Sequence, residues 1–373
     1  MILILVCSCF LFFYACLIFY YYKGWKKIKV FSPQGVTEKT FISVIIPVRN
    51  EEKNIISLVD SLKQQEYPAQ FYEVIFVDDY STDKTQRFLH QYCSGNISWL
   101  KSAGPEQLSS KKKAIDTGIR SAKGTLIVST DADCHHPATW LSTINEFHLK
   151  TESCFIAAPV KFNHTNSLLS IFQSLDFITL QGITGAGIAN RFHFMCNGAN
   201  LAYTRESFLQ VNGFEGIDHI ASGDDMLLMY KIWKMHPQKI EFLKSREAIV
   251  STVPMSSWNE LLMQRKRWAG KALVYDDYRM VAVLFFVYLL NLSFISLIFL
   301  CFFNSFFWMY AGLFLVIKTF IEWPFVYTVA GFYGEQRLMK YFLWMQPIHI
   351  FYTVVIGIIG QLGKYQWKGR RTK

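Results

Sequence analysis

Residues 1–22, MILILVCSCFLFFYACLIFYYY, contain no charged side chain. At about 1.5 Å of rise per residue, a helix of this length crosses a hydrocarbon layer about 30 Å thick. The run therefore reads as one membrane-spanning helix. A cleaved signal peptide is the competing reading, but its basic leading residues and small-residue cleavage site are missing. Tyr20, Tyr21, Tyr22 and Trp25, followed by lysines, form an interfacial belt on the positive side of the membrane. That orientation puts the N-terminus outside and the following chain in the cytoplasm, at the inner or plasma membrane if the source is bacterial.

Three more apolar runs cover 281–303, 306–330 and 341–363. The second holds Lys318 and Glu322 four residues apart, a spacing that suits pairing inside a bundle or a partly interfacial helix. If all three cross, the basic tail over 364–373 falls on the opposite face from the basic linker over 23–40. Two full crossings plus one re-entrant or interfacial segment keep both on the cytoplasmic side, and that arrangement is favoured.

The charge distribution agrees with a membrane protein. The net charge is +10, yet residues 41–280 hold 25 basic and 25 acidic side chains. The excess sits in the linker, with five lysines against Glu38, and in the tail, with five basic residues and no acid. A nucleic-acid binder would carry a basic face on its folded domain, so no nucleic-acid partner is expected. Apolar residues at 51% and aromatics at 17% exclude intrinsic disorder. Eight cysteines without a C-x-x-C pair argue against a disulfide framework or structural zinc.

Residues 41–280 alternate strand and helix signals. FISVIIP at 41–47, EVIFV at 73–77, a short run at 97–100 and GTLIVST at 124–130 read as strands. Helical spacing follows over 51–65 and from 84 to 92. This is an α/β pattern with a mostly parallel, doubly wound sheet, in which ligands bind outside the carboxyl ends of the strands. The polar residues there are Arg49, Asn50, Glu51 and Glu52 after the first strand, Asp78, Asp79, Ser81 and Asp83 after the second, and Asp131 and Asp133 after the fourth. Any one of these is explained equally well as a turn residue or helix cap, Ser81 and Asp83 especially. Three acidic clusters on one rim raise one another's pKa unless a cation lies between them.

Asp131-Ala132-Asp133 suits a hard cation such as Mg²⁺ or Mn²⁺, with Asp133 the more direct ligand. His135 and His136 have no partner cluster for zinc and read as loop residues before Pro137. Asn197-Gly198-Ala199-Asn200 precedes an apolar stretch. Ser222-Gly223-Asp224-Asp225 opens a helix, whose dipole stabilises one carboxylate and leaves the other as a candidate general base. A helix over 257–271, started by a Ser257–Glu260 capping box, carries Gln264, Arg265, Lys266, Arg267, Trp268 and Lys271. With Trp258, that basic and aromatic set also reads as a membrane-surface stripe.

In order, SVIIPVRNEEKNI, VDDYSTDKT, KKKAIDTGI, DADC, Gly223-Asp224-Asp225 and Gln264-x-x-Arg267-Trp268 resemble the membrane-bound family 2 glycosyltransferases of GT-A fold. Cellulose and hyaluronan synthases and ceramide glucosyltransferase belong to that group. The resemblance covers roughly residues 41–271. It implies that Pro47, Arg49, Glu51, Asp78 and Asp79 line a nucleotide pocket and that Lys111 approaches the donor phosphate or sugar. It implies that Asp131 and Asp133 carry Mg²⁺ or Mn²⁺ against the diphosphate and that Asp225, or Asp224, takes the acceptor proton. Gln264, Arg267 and Trp268 complete the donor site, Arg267 at the diphosphate and Trp268 toward an acceptor sugar or lipid. One displacement with one base gives an inverting transferase for a nucleotide-sugar donor, by default a UDP-sugar.

Asp224 stands where the family more often has Glu, which leaves the base open between 224 and 225. The short C-terminal membrane region favours single transfer to a lipid or saccharide acceptor over a processive polysaccharide synthase. The apolar stretch 168–188 is then expected in the interface near the acceptor. Two other classes share some of these signals. A haloacid dehalogenase-type phosphatase also places D-x-D after a buried strand, but its nucleophile sits on the first strand. A non-catalytic membrane scaffold or transporter would show symmetric repeats among the apolar segments, and none is evident.

Overall fold

The computed structural model describes residues 2–105, 110–218, 220, 223–270, 277–361, 365–367 and 370–372, the last two segments as backbone only. Ser222, Lys271 and most of the basic tail lie outside the described residues. Helix α1 (Ile2–Lys27) runs past the uncharged stretch, so Lys26 and Lys27 fall in its last turn and the linker shortens to start at Ile28. Next come β1 (Ile42–Val48), α2 (Ile55–Lys63), β2 (Tyr72–Asp78), α3 (Thr85–Tyr92), β3 (Ile97–Lys101), α4 (Lys111–Ser121) and β4 (Leu126–Ser129). Helix α2 starts later than the expected 51 because the Asn54 amide closes a turn onto the Glu51 carbonyl.

The domain continues through α5 (Trp140–Thr151), β5 (Phe155–Ala157), β6 (Val160–Phe162), α6 (Leu168–Ala189), β7 (Leu201–Thr204), α7 (Arg205–Gln210), α8 (Asp224–Met235), β8 (Ile240–Phe242), β9 (Val250–Thr252) and α9 (Trp258–Ala269). The central sheet has the order β3-β2-β1-β4-β7-β5-β8, and β6 pairs with β9 in a small separate sheet. Strand β1 runs parallel to β2 and β4, while β7 is antiparallel to both its neighbours. In β1 only Pro47 is less than fully buried, as expected of a central strand covered on both faces. The chain moves outward from β1 to β3 and then returns to place β4 on the other side of β1. That reversal opens the crevice at the carboxyl ends of β1 and β4.

Helices α10 (Tyr278–Cys301), α11 (Phe306–Tyr333) and α12 (Phe342–Ile359) follow. All three C-terminal segments are long and apolar enough to cross a membrane, as is α1. Helix length therefore gives the two-crossing arrangement no preference. Lys318 and Glu322 resolve as a buried pair at 2.7 Å, joined by Gln346, at 2.6 Å from Lys318, and by the Tyr14 hydroxyl on Glu322. The paired reading holds, because charges left alone among apolar helices are costly.

Helix α6, the apolar stretch, packs against α1 and α11, with most of its residues buried. Its glycines permit the close approach. A Cβ at Gly182 would meet Val329 Cγ2 at 2.5 Å and Phe325 Cζ at 3.0 Å. At the other end, Lys244 donates to the carbonyls of Trp25 (2.9 Å) and Ile28 (3.1 Å), with its ammonium 4.0 Å from the centre of the Trp25 ring. Burial, with a contribution from Lys26, pulls the Lys244 pKa down to about 8.

Gly182→Val should force α6 and α11 apart and cost about 1–3 kcal/mol, as overpacking of an interior does. Thermal unfolding in detergent checks this: a midpoint equal to that of the parent would mean that the two helices are not in contact.

Candidate active site

Ser110 caps α4 by accepting from the Lys113 amide at 3.2 Å, and the first two helical residues, both lysines, then diverge. Lys112 is buried and donates to the carbonyls of Ile217 (2.6 Å) and Ile220 (2.8 Å), holding the segment that leads to α8. Lys111 points into the crevice. Its Nζ lies 2.8 Å from Asp131 Oδ1, just after β4, and 2.9 Å from Asp224 Oδ2, at the start of α8. Asp225 is adjacent: its Oδ2 accepts from the Gly198 amide at 3.1 Å and its Oδ1 from the Met226 amide at 2.8 Å. A Cβ at Gly198 would sit 3.0 Å from Lys111 Nζ, so the loop comes this near only because residue 198 is glycine.

Burial alone would depress the pKa of Lys111, but Asp131, Asp224 and Asp225 together outweigh it and hold the ammonium well above its ordinary value. One cation thus joins the carboxylate after the fourth strand to the acidic pair on α8. Asp133 is solvent-exposed beside this group.

The loops after β1 and β2 interlock next to it. Arg49 Nη1 donates to the Asp79 carbonyl at 2.5 Å and the Asp79 amide to the Val48 carbonyl at 2.8 Å. Glu51 donates its amide to Thr85 Oγ1 at 2.8 Å and accepts from Asn54 Nδ2 at 2.7 Å. Asn50 and Tyr80 take left-handed backbone conformations that turn the two loops toward each other. Asp78 and Asp79 are both buried; the Asp78 carboxylate accepts from Gln86 Nε2 at 2.7 Å and from the Ser81 amide. Asp83 accepts from the Thr85 amide at 3.0 Å, close to its expected capping role, whereas Ser81 instead accepts from the Asn50 amide at 3.0 Å.

Residues 43–208 match the family described as Glycosyl transferase family 2. Residues 43–208 form a family 2 glycosyltransferase domain. Asp224, Asp225 and all of α9 lie beyond the matched segment. Among curated relatives, the glycosyltransferase AglE of Haloferax volcanii is 27% identical over 190 residues, or 50% of this chain and 59% of its own. The poly(ribitol-phosphate) beta-N-acetylglucosaminyltransferase TarS of Staphylococcus aureus is 30% identical over 151 residues, or 39% of this chain and 22% of its own. The chain thus spans less than two thirds of either relative. Among solved structures, the mannosyltransferase PcManGT of Pyrobaculum calidifontis, determined with GDP-Man and Mn²⁺, superposes with a TM-score of 0.59 at 19% identity, covering 95% of this chain and 98% of that one. At that identity the likeness establishes the fold, which is GT-A.

Within the glycosyltransferase domain, no three His, Cys, Asp or Glu side chains among the described residues cluster closely enough to hold a metal alone. Asp131 and Asp133 still fit Mg²⁺ or Mn²⁺, which commonly take one or two carboxylates and complete their shell with water and substrate phosphates. His136 lies in the loop before Pro137, as expected, yet its side chain is not exposed. It is buried with its ring 4.1 Å from that of Trp140, and its Nε2 lies 2.8 Å from Thr130 Oγ1. That hydroxyl donates to the Ala199 carbonyl at 2.7 Å and so accepts from the imidazole. Burial, then His135, lowers the His136 pKa to about 3, which keeps the ring neutral.

Helix α9 starts as expected, with Ser257 Oγ accepting from the Glu260 amide at 3.2 Å; the return bond goes to Ser256 rather than Ser257. Gln264 and Arg267 are half-buried, and Trp268 packs against the core that contains Val48, Ala132 and Ala199. The surface-stripe reading fails at Arg265. This residue is buried, 2.6 Å from Asp176 on α6. Asp176 escaped the sequence reading, although a lone acid within the apolar run 168–188 signals a buried partner.

Lys111→Met should leave Asp131 and Asp224 facing each other without a counter-charge and lower thermal stability. The folded pKa of Lys111 is raised above 10.5, so its contribution is complete below that pH and disappears only as pH rises through the folded value. The difference in unfolding midpoint between variant and parent should accordingly stay flat from about pH 7 to about pH 9. A difference that vanished within that window would show that Lys111 is not the shared partner.

Proposed function

We propose that this chain is an inverting, metal-assisted glycosyltransferase that moves a sugar from a nucleoside diphosphate donor to a hydroxyl of a lipid or lipid-linked acceptor at the cytoplasmic membrane face. The observation that carries the reading is the convergence of Asp131, Asp224 and Asp225 on Lys111, beside a helix, α9, that packs on the apolar helix α12. The phosphatase reading needs a nucleophilic carboxylate at the end of the first strand, where this chain has Arg49.

Asp225 is the better general base. Asp224 is buried with a carboxylate oxygen 2.9 Å from the Lys111 ammonium, whereas Asp225 is half-exposed, where an acceptor hydroxyl can reach it. Asp225 takes the proton from the acceptor hydroxyl as that oxygen attacks the anomeric carbon. The bond from that carbon to the phosphate oxygen breaks on the opposite side, and the nucleoside diphosphate departs with the electron pair. A divalent cation held by Asp131 and Asp133 would supply positive charge to the departing diphosphate. Lys111 adds charge from the chain itself, and Arg267 offers a planar fork to phosphate oxygens. Pro47, Arg49, Glu51, Asp78 and Asp79 line the nucleotide end, Gln264 flanks the diphosphate, and Trp268 presents a flat apolar face to the acceptor.

The lysines at the end of α1 favour the cytoplasmic side for the domain. UDP-sugars are the first donors to try on resemblance, and the GDP-Man bound by the archaeal mannosyltransferase adds GDP-sugars to the panel.

Membranes containing the chain, incubated with radiolabelled UDP-glucose, UDP-N-acetylglucosamine, UDP-galactose or GDP-mannose and Mn²⁺, should pass label to the organic phase. Label in a long water-soluble polymer would point to a processive synthase, and label in neither would remove the proposal. Asp225→Asn should lower kcat by about 10²- to 10⁴-fold, the usual worth of a general base, with donor KM little changed. Chelation should abolish transfer, and Mn²⁺ or Mg²⁺ should restore it. If Asp224→Asn alone stops turnover, the base assignment reverses.

A further inference from the structure

Trp268 is half-buried. It packs against the core of the glycosyltransferase domain, and the Arg265 guanidinium lies over its ring, 4.3 Å from the centroid. Arg265 is itself fixed: only 4% exposed, it meets the Asp176 carboxylate of α6 at 2.6 Å. The second Asp176 oxygen faces His349 Nε2 of α12 at 3.7 Å. Three helices therefore meet at one buried charge pair directly beneath the indole. A planar guanidinium can give an edge to a carboxylate while its face supports an aromatic ring, which a lysine ammonium cannot do.

We propose that Asp176 and Arg265 are positioning residues for sugar transfer: Asp176 orients Arg265, and Arg265 sets the angle at which Trp268 faces the acceptor. Neither touches the reacting atoms. The pair also ties the acceptor side of the site to α6 and α12. This inference rests on the acceptor role given above to Trp268.

The test uses the full chain in detergent or membranes, labelled with 5-fluorotryptophan, and the resonance of Trp268 is assigned by its loss in Trp268→Phe. Arg265→Lys keeps the charge opposite Asp176, so the protein should fold, but it removes the flat support. Its Trp268 resonance should shift or broaden while the other tryptophan signals stay in place. With the sugar nucleotide that labels lipid, transfer to lipid should fall about tenfold, the scale of a lost cation–π contact in a desolvated site. Acceptor-independent release of nucleoside diphosphate should be unchanged.

Asp176→Asn should act in the same direction, and Asp176→Glu should recover part of the loss. An unmoved Trp268 resonance in both Arg265→Lys and Asp176→Asn would overturn the proposal, as would equal loss of lipid transfer and nucleotide release together with a lowered unfolding midpoint. A shifted resonance with normal transfer would keep the positioning and remove the acceptor role of Trp268. If Arg265→Lys does not fold, the Asp176→Asn and Asp176→Glu pair decides the same question.

Discussion

Three carboxylates from segments about ninety residues apart share one ammonium, and the geometry of the crevice depends on it. Asp131 ends the fourth strand, and Asp224 and Asp225 open α8; brought together without a cation, they would repel one another. Lys111 reaches them because α4 begins beside β4 and because Gly198 leaves room for its side chain. Its neighbour Lys112 fixes the segment leading to α8, so a pair of adjacent lysines sets both the charge balance and the chain path.

A second constraint joins this crevice to the apolar helices. Helix α6 packs on β6 and β8 of the domain and also against α1 and α11, with glycines at the contact. Lys244 closes the carboxyl end of α1, where a cation is favoured by the helix dipole, and Arg246 donates to the carbonyls of Phe332 (3.1 Å) and Gly331 (2.9 Å) at the end of α11. Two cations on one loop thus hold the ends of two membrane helices. Farther in, Lys318, Glu322, Gln346 and Tyr14 satisfy one another, so charges among apolar helices become a specific joint rather than a liability. Helix α9, which carries Arg265 and Trp268, rests on α12.

The strand pattern was readable because parallel strands covered on both faces appear as nearly unbroken apolar runs, and three such runs fall where β1, β2 and β4 lie; the edge strand β3 gave only a short one. Lys111, Asp131, Asp224 and Asp225 could be named because acids after strands and at helix starts are rare enough to stand out together. His136 is a loop residue as read, but its burial was not legible, since a histidine next to proline gives no sign of whether its ring turns inward; that depends on Thr130, Trp140 and Ala199. Asp78 likewise shows no sequence mark of being enclosed by Ser81 and Gln86. Arg265 looked like one more surface cation in a basic run, because its partner lies 89 positions earlier, on another helix.

Local sequence determined which segments are long and apolar enough to cross a membrane, where the first four strands lie, and which side chains carry charge at their ends, since hydrophobic period and run length act over a few residues. Only the tertiary structure decided which of those charges meet. The pairing of Lys111 with Asp131 and Asp224, the burial of Arg265 under Trp268 and the use of α6 as a strut depend on chain reversals and helix packing. Those are set by the closing of the whole core, and no short window of sequence records them.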